Sequence, residues 1–166
     1  DGKIVGNVGA GIEIKNLGNP TIRHCEITEG KDRGILIADK GTGTIEQCRI
    51  VQSARSSLVL KGNSNVTIRN STIEQGHSYG IVFDEDSTGT VEHCHILSHA
   101  KAGIEVRQGG NPLIKGCMIQ GNQYYAVMAR DKGSITVEDS DLRGNMMKGM
   151  FSDGGCYITR RGEIKE

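Results

Sequence analysis

Several charged side chains in this sequence are of types that carry out acid–base chemistry. The carboxylates that could act as general acids, general bases or calcium ligands are Asp84, Asp86 and Glu105. The cations that could supply a base or clamp a substrate carboxylate are Lys61, Arg107 and Arg130. Lys61, Asp84 and Arg107 follow one another at equal intervals along the sequence. Their signs alternate, so neighbours could neutralise one another, which counts against a catalytic role.

Cysteine and histidine are the other reactive residue types. The five cysteines are an odd number and form no Cys-x-x-Cys pair, so they do not predict a disulfide framework. His93 and His95 flank Cys94 and are expected to point to diverging faces, whereas zinc requires converging ligands. The sequence therefore predicts no metal site and no cofactor, and the cysteines favour a reducing, intracellular compartment.

A 23-residue repeat organises the chain. A small residue recurs at this interval, at Gly11, Gly34, Ser57, Gly80, Gly103, Ala126 and Gly149. An aliphatic residue or methionine follows it each time, and further aliphatic columns begin at Ile22 and Ile27. Six complete units cover 11–148 without an insertion or deletion.

The apolar residues alternate within runs of three to five, which is the periodicity of β-strands. Three short strands per unit, stacked in register, predict an all-β fold, a single-stranded right-handed parallel β-helix of about seven coils. We expect one domain over 1–166, with a partial coil at 1–10 and a degenerate last coil and tail at 149–166. We also expect the chain to be a fragment of a longer protein.

Composition argues against two classes of binding partner, nucleic acids and membranes. Twenty basic and twenty acidic residues balance, so the basic excess typical of nucleic-acid binding is absent. No apolar run approaches the ~18 residues of a membrane span. We therefore expect neither nucleic acid nor membrane as a partner, while the oligomeric state stays open.

Equal positions of successive coils should lie above one another, so each column of the repeat can be interpreted as a ladder. One outward column alternates in sign and predicts stabilising cross-strand pairs: Arg23, Glu46, Arg69, Glu92, Lys115 and Glu138. An inward column of Cys and Ser predicts small structural fillers: Cys25, Cys48, Ser71, Cys94, Cys117 and Ser140.

The outward side of the first strand differs from these ladders because it mixes apolar and charged groups without pairing. It predicts an exposed aliphatic stripe at Leu36, Val59 and Val82, flanked by Tyr79, Tyr124 and Tyr125. Aromatic and arginine side chains beside such a stripe are typical of a protein-interaction surface. Glu105, Arg107 and Arg130 would then confer selectivity. The alternative is ordinary β-propensity with scattered surface apolar residues.

The repeat resembles a known group at 11–27 and 103–119, where Gly-Ile opens the first strand, Asn-Pro precedes the second and Cys-x-Ile lies in the third. This pattern is similar to CASH-type β-helix repeats, and in particular to the β-helix of F-box-only substrate receptors of ubiquitin ligases. The resemblance implies recognition of a substrate polypeptide. It implies no ubiquitin transfer, because no F-box or catalytic cysteine context is visible.

Parallel β-helices also include pectate lyases, polygalacturonases and alginate epimerases, and a fold does not determine a function. Units of identical length leave no elongated turn to wall a cleft, which counts against an enzyme. The sequence thus predicts a non-catalytic protein-recognition module of the F-box-receptor type. The alternative is a polysaccharide-active β-helix, resembling a uronate lyase or hydrolase, or a carbohydrate-binding one.

Overall fold

Twenty β-strands and no helix make up the computed structural model, which describes residues 1–166. They form three parallel sheets in which each strand pairs with the equivalent strands of the coils above and below it. Sheet 1 contains β2 (Ile12–Ile14), β5 (Ile35–Ile37), β8 (Leu58–Leu60), β11 (Ile81–Phe83), β14 (Ile104–Val106), β17 (Val127–Ala129) and β19 (Met150–Ser152). Sheet 2 contains β3 (Thr21–Arg23), β6 (Thr42–Glu46), β9 (Asn65–Arg69), β12 (Thr88–Glu92), β15 (Asn111–Lys115), β18 (Ser134–Glu138) and β20 (Tyr157–Arg161).

Sheet 3 contains β1 (Gly2–Val5), β4 (Cys25–Thr28), β7 (Arg49–Val51), β10 (Thr72–Glu74), β13 (His95–Leu97) and β16 (Met118–Gln120). The three sheets enclose one core of stacked aliphatic columns, with Ile35, Ile68 and Ile73 completely buried. The predicted parallel β-helix is confirmed. Register persists through β19 and β20, so the last coil keeps its first two strands in line with the others. No helix is long and apolar enough to cross a membrane.

The column of small residues is explained by a close approach between sheets 1 and 3. A Cβ atom on Gly11 would lie 2.6 Å from Cγ2 of Ile27, and one on Gly80 would lie 2.8 Å from Cγ2 of Ile96. Both distances are far below ordinary van der Waals contact. The repeat therefore needs glycine, or a small residue with local adjustment, wherever this turn meets the isoleucine column of sheet 3.

Sheets 2 and 3 are joined by a corner of one or two residues, and the first of these turns the chain. This residue has a left-handed backbone, with φ between 45° and 60°, at His24, Gln47, Asn70, His93, Gly116 and Asp139. Asparagine, aspartate and glycine tolerate this conformation best. So short a corner adds no side-chain cover, and the outward face of sheet 2 therefore stays open to solvent.

The cysteine column is a packing feature, as predicted. All five cysteines are free, and Cys48, Cys94 and Cys117 are buried in the core. The Sγ of Cys117 donates to the carbonyl of Val91 at 3.3 Å, whereas Ser71 fills the same position and accepts the N–H of Cys48. Burial raises the pKa of Cys48, so its thiol stays protonated at neutral pH.

Candidate functional site

A turn of six residues leads from sheet 3 into most strands of sheet 1 and covers the outward face of sheet 1. The turn residue two positions before a strand lies beside the outward residue of the strand in the next coil. The ring of Tyr125, for example, stacks on that of Phe151 with centroids 5.0 Å apart. Because of this cover, Val59 is only 7% exposed and Val82 only 2%. The expectation of an exposed aliphatic stripe at these two positions is therefore wrong, and Leu36 is only half-buried.

Buried charges dominate the middle of this face. The side chain of Glu105 is completely buried, with Oε1 2.6 Å from Nη2 of Arg130 and Oε2 3.4 Å from Nη1 of Arg107. Arg107 also donates from Nε and Nη2 to Oδ2 of Asp84, at 2.9 and 2.7 Å. The other oxygen of Asp84 accepts the N–H of Glu85. Four ionised side chains from three consecutive coils thus form one network.

The network is tightly packed but incompletely hydrogen-bonded. Oε1 of Glu105 and Nε of Arg130 are buried and have no well-aligned hydrogen-bond partner, although Oε1 lies close to another nitrogen of Arg130. Charge rather than hydrogen-bond geometry therefore holds this pair. Removing charged groups from water is costly, and imperfect pairing recovers only part of that free energy. A buried polar atom without a hydrogen-bond partner calls for an explanation, and a functional role is one such explanation.

A pocket of about 230 Å³ opens beside the network. Its lining consists of Arg33, Arg55, Ser56, Val59, Ser78, Tyr79, Val82, Glu105 and Arg107. Three guanidinium groups thus share the pocket with one carboxylate. Arg33 and Arg55 both pair with Asp32, at 3.2 and 3.4 Å. Because one carboxylate serves two arginines, N–H donors remain for an anionic ligand.

Tyr79 is the aromatic group of this pocket. Burial and the neighbouring carboxylate of Glu105 raise the pKa of Tyr79, so its phenol keeps its proton at neutral pH. Nζ of Lys101 lies 4.9 Å from the centre of its ring, in a cation–π arrangement. A phenol held between cations and a carboxylate can donate a proton or a hydrogen bond to a bound ligand.

The structure brings together some of the predicted residues. Val59, Val82, Tyr79, Glu105 and Arg107 line the pocket, and the ion pairs above attach Asp84 and Arg130. Leu36, Lys61, Asp86, Tyr124 and Tyr125 lie outside it. The carboxylates suggested as calcium ligands do not converge, and no group of three or more metal-ligating side chains is present.

Arg33 and Arg55 line the pocket but were not predicted. Arg33 occupies the same repeat position as Tyr79, and this shared position is the signal that could have identified it. Arg55 lies one residue earlier in its own turn. A larger hollow of about 620 Å³ lies beside Ile12, Ile22 and Cys25 and carries no network of this kind.

Comparison with known proteins identifies the family to which this fold belongs. A family model described as the right-handed β-helix region matches residues 4–164. The chain belongs to this family. The match confirms the predicted right-handed all-β solenoid, and it lends no support to the F-box resemblance. No curated protein is similar enough to this β-helix to count as a relative.

Solved structures show the same fold. A crystal structure of the periplasmic alginate epimerase AlgG superposes with a TM-score of 0.90 at 17% identity, covering 99% of this chain and 44% of that one. A mutant of that enzyme gives 0.90 and 17%, with 98% and 44% covered. A double mutant gives 0.80 and 12%, with 99% and 50% covered. This β-helix therefore spans half or less of the length of those chains.

The prediction of a non-catalytic protein-recognition module of the F-box type is wrong. Two of the three aliphatic residues on which the prediction relied are buried. The crystal structures described above, which superpose on nearly all of this β-helix, are those of an alginate epimerase and not of an F-box receptor. The intracellular location and the absence of nucleic-acid and membrane partners stay predictions.

Proposed function

We propose that this β-helix binds and modifies an acidic polysaccharide at the pocket on sheet 1. The observation that carries the proposal is the lining of that pocket, where Arg33, Arg55 and Arg107 outnumber the single carboxylate of Glu105. Guanidinium groups recognise carboxylates through paired, charge-assisted hydrogen bonds. The fold shared with an alginate epimerase supports a uronate polymer as the substrate class.

The arginines divide into two groups by their partners. Arg107 and Arg130 are held by Asp84 and Glu105, so these four side chains form a rigid floor without net charge. Arg55, whose side chain is 69% exposed, can reorient toward a ligand, and Arg33 shares its only carboxylate partner, Asp32. A uronate carboxylate would therefore bind to Arg33 and Arg55, above the floor.

Proton removal beside a uronate carboxylate is the chemistry that this arrangement suits, with Glu105, the carboxylate that lines the pocket, as the group that accepts the proton. Such a step places negative charge on the carboxylate, and fixed cations stabilise that charge most in a partly buried site. Tyr79 stays protonated at neutral pH and so can return a proton to the sugar. Proton removal followed by delivery of a proton to the opposite face of the same carbon is epimerisation, and proton removal followed by loss of the glycosidic oxygen is elimination.

The proposal is tested by binding and by hydrogen exchange. Isothermal calorimetry of the full chain with alginate, polygalacturonate and neutral dextran should show salt-sensitive binding of the first two only. Replacing both arginines, Arg33→Ala with Arg55→Ala, should weaken binding by roughly tenfold or more, since each charge-assisted hydrogen bond contributes about 1.5–3 kcal/mol. In heavy water, epimerisation should introduce deuterium beside the carboxylate, whereas elimination should leave a carbon–carbon double bond there, and NMR detects both.

Arg49→Ala is the matched control. Arg49 lies on sheet 3, is half-exposed and pairs with Glu74 and Glu26, so it resembles Arg55 in exposure and charge. Its replacement should leave binding unchanged. The binding proposal would be overturned if dextran bound as tightly as the uronate polymers. It would also be overturned if the double variant at Arg33 and Arg55 and the control Arg49→Ala lost affinity equally. Binding without deuterium incorporation or elimination would overturn the catalytic part alone.

A further inference from the structure

Exposed aromatic side chains lie on the same side of the molecule as the charged pocket, toward its C-terminal coils. Tyr124 is 50% exposed and Phe151 is 38% exposed, and Phe151 stacks on the half-buried ring of Tyr125. None of the three belongs to the hydrophobic core cluster. The exposed Met146 and Met147 adjoin them in the next turn. The charged network and the core therefore leave this surface unexplained.

The aromatic pair repeats a geometry found in the pocket. The sequence interval from Tyr125 to Phe151 equals that from Tyr79 to Glu105, so both pairs join a turn residue to the outward residue of the next coil. Tyr125 lies two coils beyond Tyr79, or about 10 Å along the axis. The coil between them carries Ala102 at the tyrosine position, so no large side chain of this column separates the two tyrosines.

We infer that Tyr124, Tyr125 and Phe151 form an aromatic subsite for a pyranose ring of the same polysaccharide. This inference rests on the proposed function. The polymer would run parallel to the coil axis, with carboxylates over the arginines at one end and a ring face on the aromatic side chains at the other. The axial C–H groups of a pyranose pack against aromatic rings, while phenol O–H groups reach the sugar hydroxyls.

The distance from the arginine pocket to the aromatic subsite fits an extended polysaccharide. From the coil of Arg33 to that of Phe151 there are five coil steps, or about 24 Å. A pyranose in an extended polymer is about as long as one coil is high, so roughly five sugars would span both parts of the site. A second copy of the chain is a poorer occupant, because three aromatic side chains offer far less than the ~1,000 Å² of a stable interface.

Oligouronates of defined length test the subsite. The variant with Tyr124→Ala and Phe151→Ala should bind uronate dimers and trimers as the parent does, because these are too short to reach from the arginine pocket to the aromatic side chains. Its affinity for hexamers and longer chains should fall roughly five- to tenfold, from the loss of aromatic stacking. Tyr157→Ala is the control, since Tyr157 lies on sheet 2 and is 72% exposed. It should behave as the parent at every length.

The outcomes separate the two proposals. If the parent chain binds no oligouronate, the proposed function fails and the subsite fails with it. If the parent binds and the arginine variant weakens binding, but the aromatic variant shows no dependence on length, only the subsite is overturned. Light scattering gives a further check. An aromatic variant that turns a dimer into a monomer, with sugar binding unchanged, would overturn the subsite in favour of a second copy.

Discussion

Outward charges on sheet 2 occur in every coil from Arg23 to Glu138 and reach solvent, whereas beside sheet 1 two carboxylates, Asp84 and Glu105, are buried and pair with the half-buried Arg107 and Arg130. On sheet 2, Glu46 accepts from Arg23 at 2.9 Å and from Arg69 at 2.6 Å, and both arginines are about half-exposed. On sheet 1, Glu105 has no exposed surface, and one of its oxygens lacks a well-aligned partner.

The two faces have the same backbone register, so cover explains the difference. A corner of one or two residues precedes sheet 3 and leaves the neighbouring face of sheet 2 bare, whereas a six-residue turn lies against sheet 1. A charge ladder in solvent fixes register at little cost, because water screens each charge. Under a turn, the same residue types lose water and interact strongly with one another and with a ligand.

Removing one carboxylate from each face gives the largest expected contrast. Glu105→Ala should lower the free energy of unfolding by about 3 kcal/mol, because it leaves the half-buried Arg130 without a carboxylate partner, while Arg107 keeps Asp84. Glu46→Ala should cost about 1 kcal/mol, because Arg23 and Arg69 can turn to solvent. Urea denaturation followed by circular dichroism measures both. Equal losses would show that cover does not distinguish the two faces.

The sequence predicted the fold because the repeat itself carries the register, and columns stacked at one constant interval can be recognised directly. It predicted the site less well because the decisive contacts lie outside those columns. Val59 and Val82 lie at outward strand positions and are nevertheless buried by turn residues of the preceding coil. The same contact brings Arg33 into the pocket. The sequence interval between such partners is slightly longer than one repeat and depends on the path of the turn, which apolar periodicity does not reveal.

Acid titration should sharpen the contrast between buried and exposed polar groups. His99 is completely buried in the turn between sheets 3 and 1, where Nε2 donates to the carbonyl of Ile73 and Nδ1 accepts the N–H of Gly76. Burial lowers the pKa of His99 to about 4, against an opposing influence of Glu74. Between pH 4 and about 6.5 the unfolded chain binds the proton and the folded chain does not. Stability should therefore fall by up to roughly 3 kcal/mol as the pH is lowered through this window.

An asparagine can replace His99, because the next coil carries an asparagine at the same repeat position. Asn122 occupies the same position one coil later, where its Oδ1 accepts the N–H of His99 and its Nδ2 donates to Ile96. His99→Asn should keep both kinds of hydrogen bond and remove the histidine contribution from the pH dependence. His93→Asn is the control, because His93 lies at an exposed corner and Asn70 occupies the same position one coil earlier. This variant should have the same pH profile as the parent. A His99→Asn chain as acid-sensitive as the parent would assign the effect to other groups.

The smallest expected effect concerns a gap in the ladder of sheet 2. Alternating signs predict that Glu92 pairs with Arg69 and Lys115, yet neither forms an ion pair with it, whereas Lys115 pairs with Glu138 at 3.1 Å. Glu92→Gln should therefore change the free energy of unfolding by less than about 0.3 kcal/mol, and Glu46→Gln by about 1 kcal/mol. Paired urea titrations at low and high salt would measure both, and only the Glu46 value should shrink with salt. If Glu92→Gln changed the free energy of unfolding as much as Glu46→Gln and with the same dependence on salt, position in the column alone would determine pairing. The contrast between the two faces would then depend on burial and not on individual contacts.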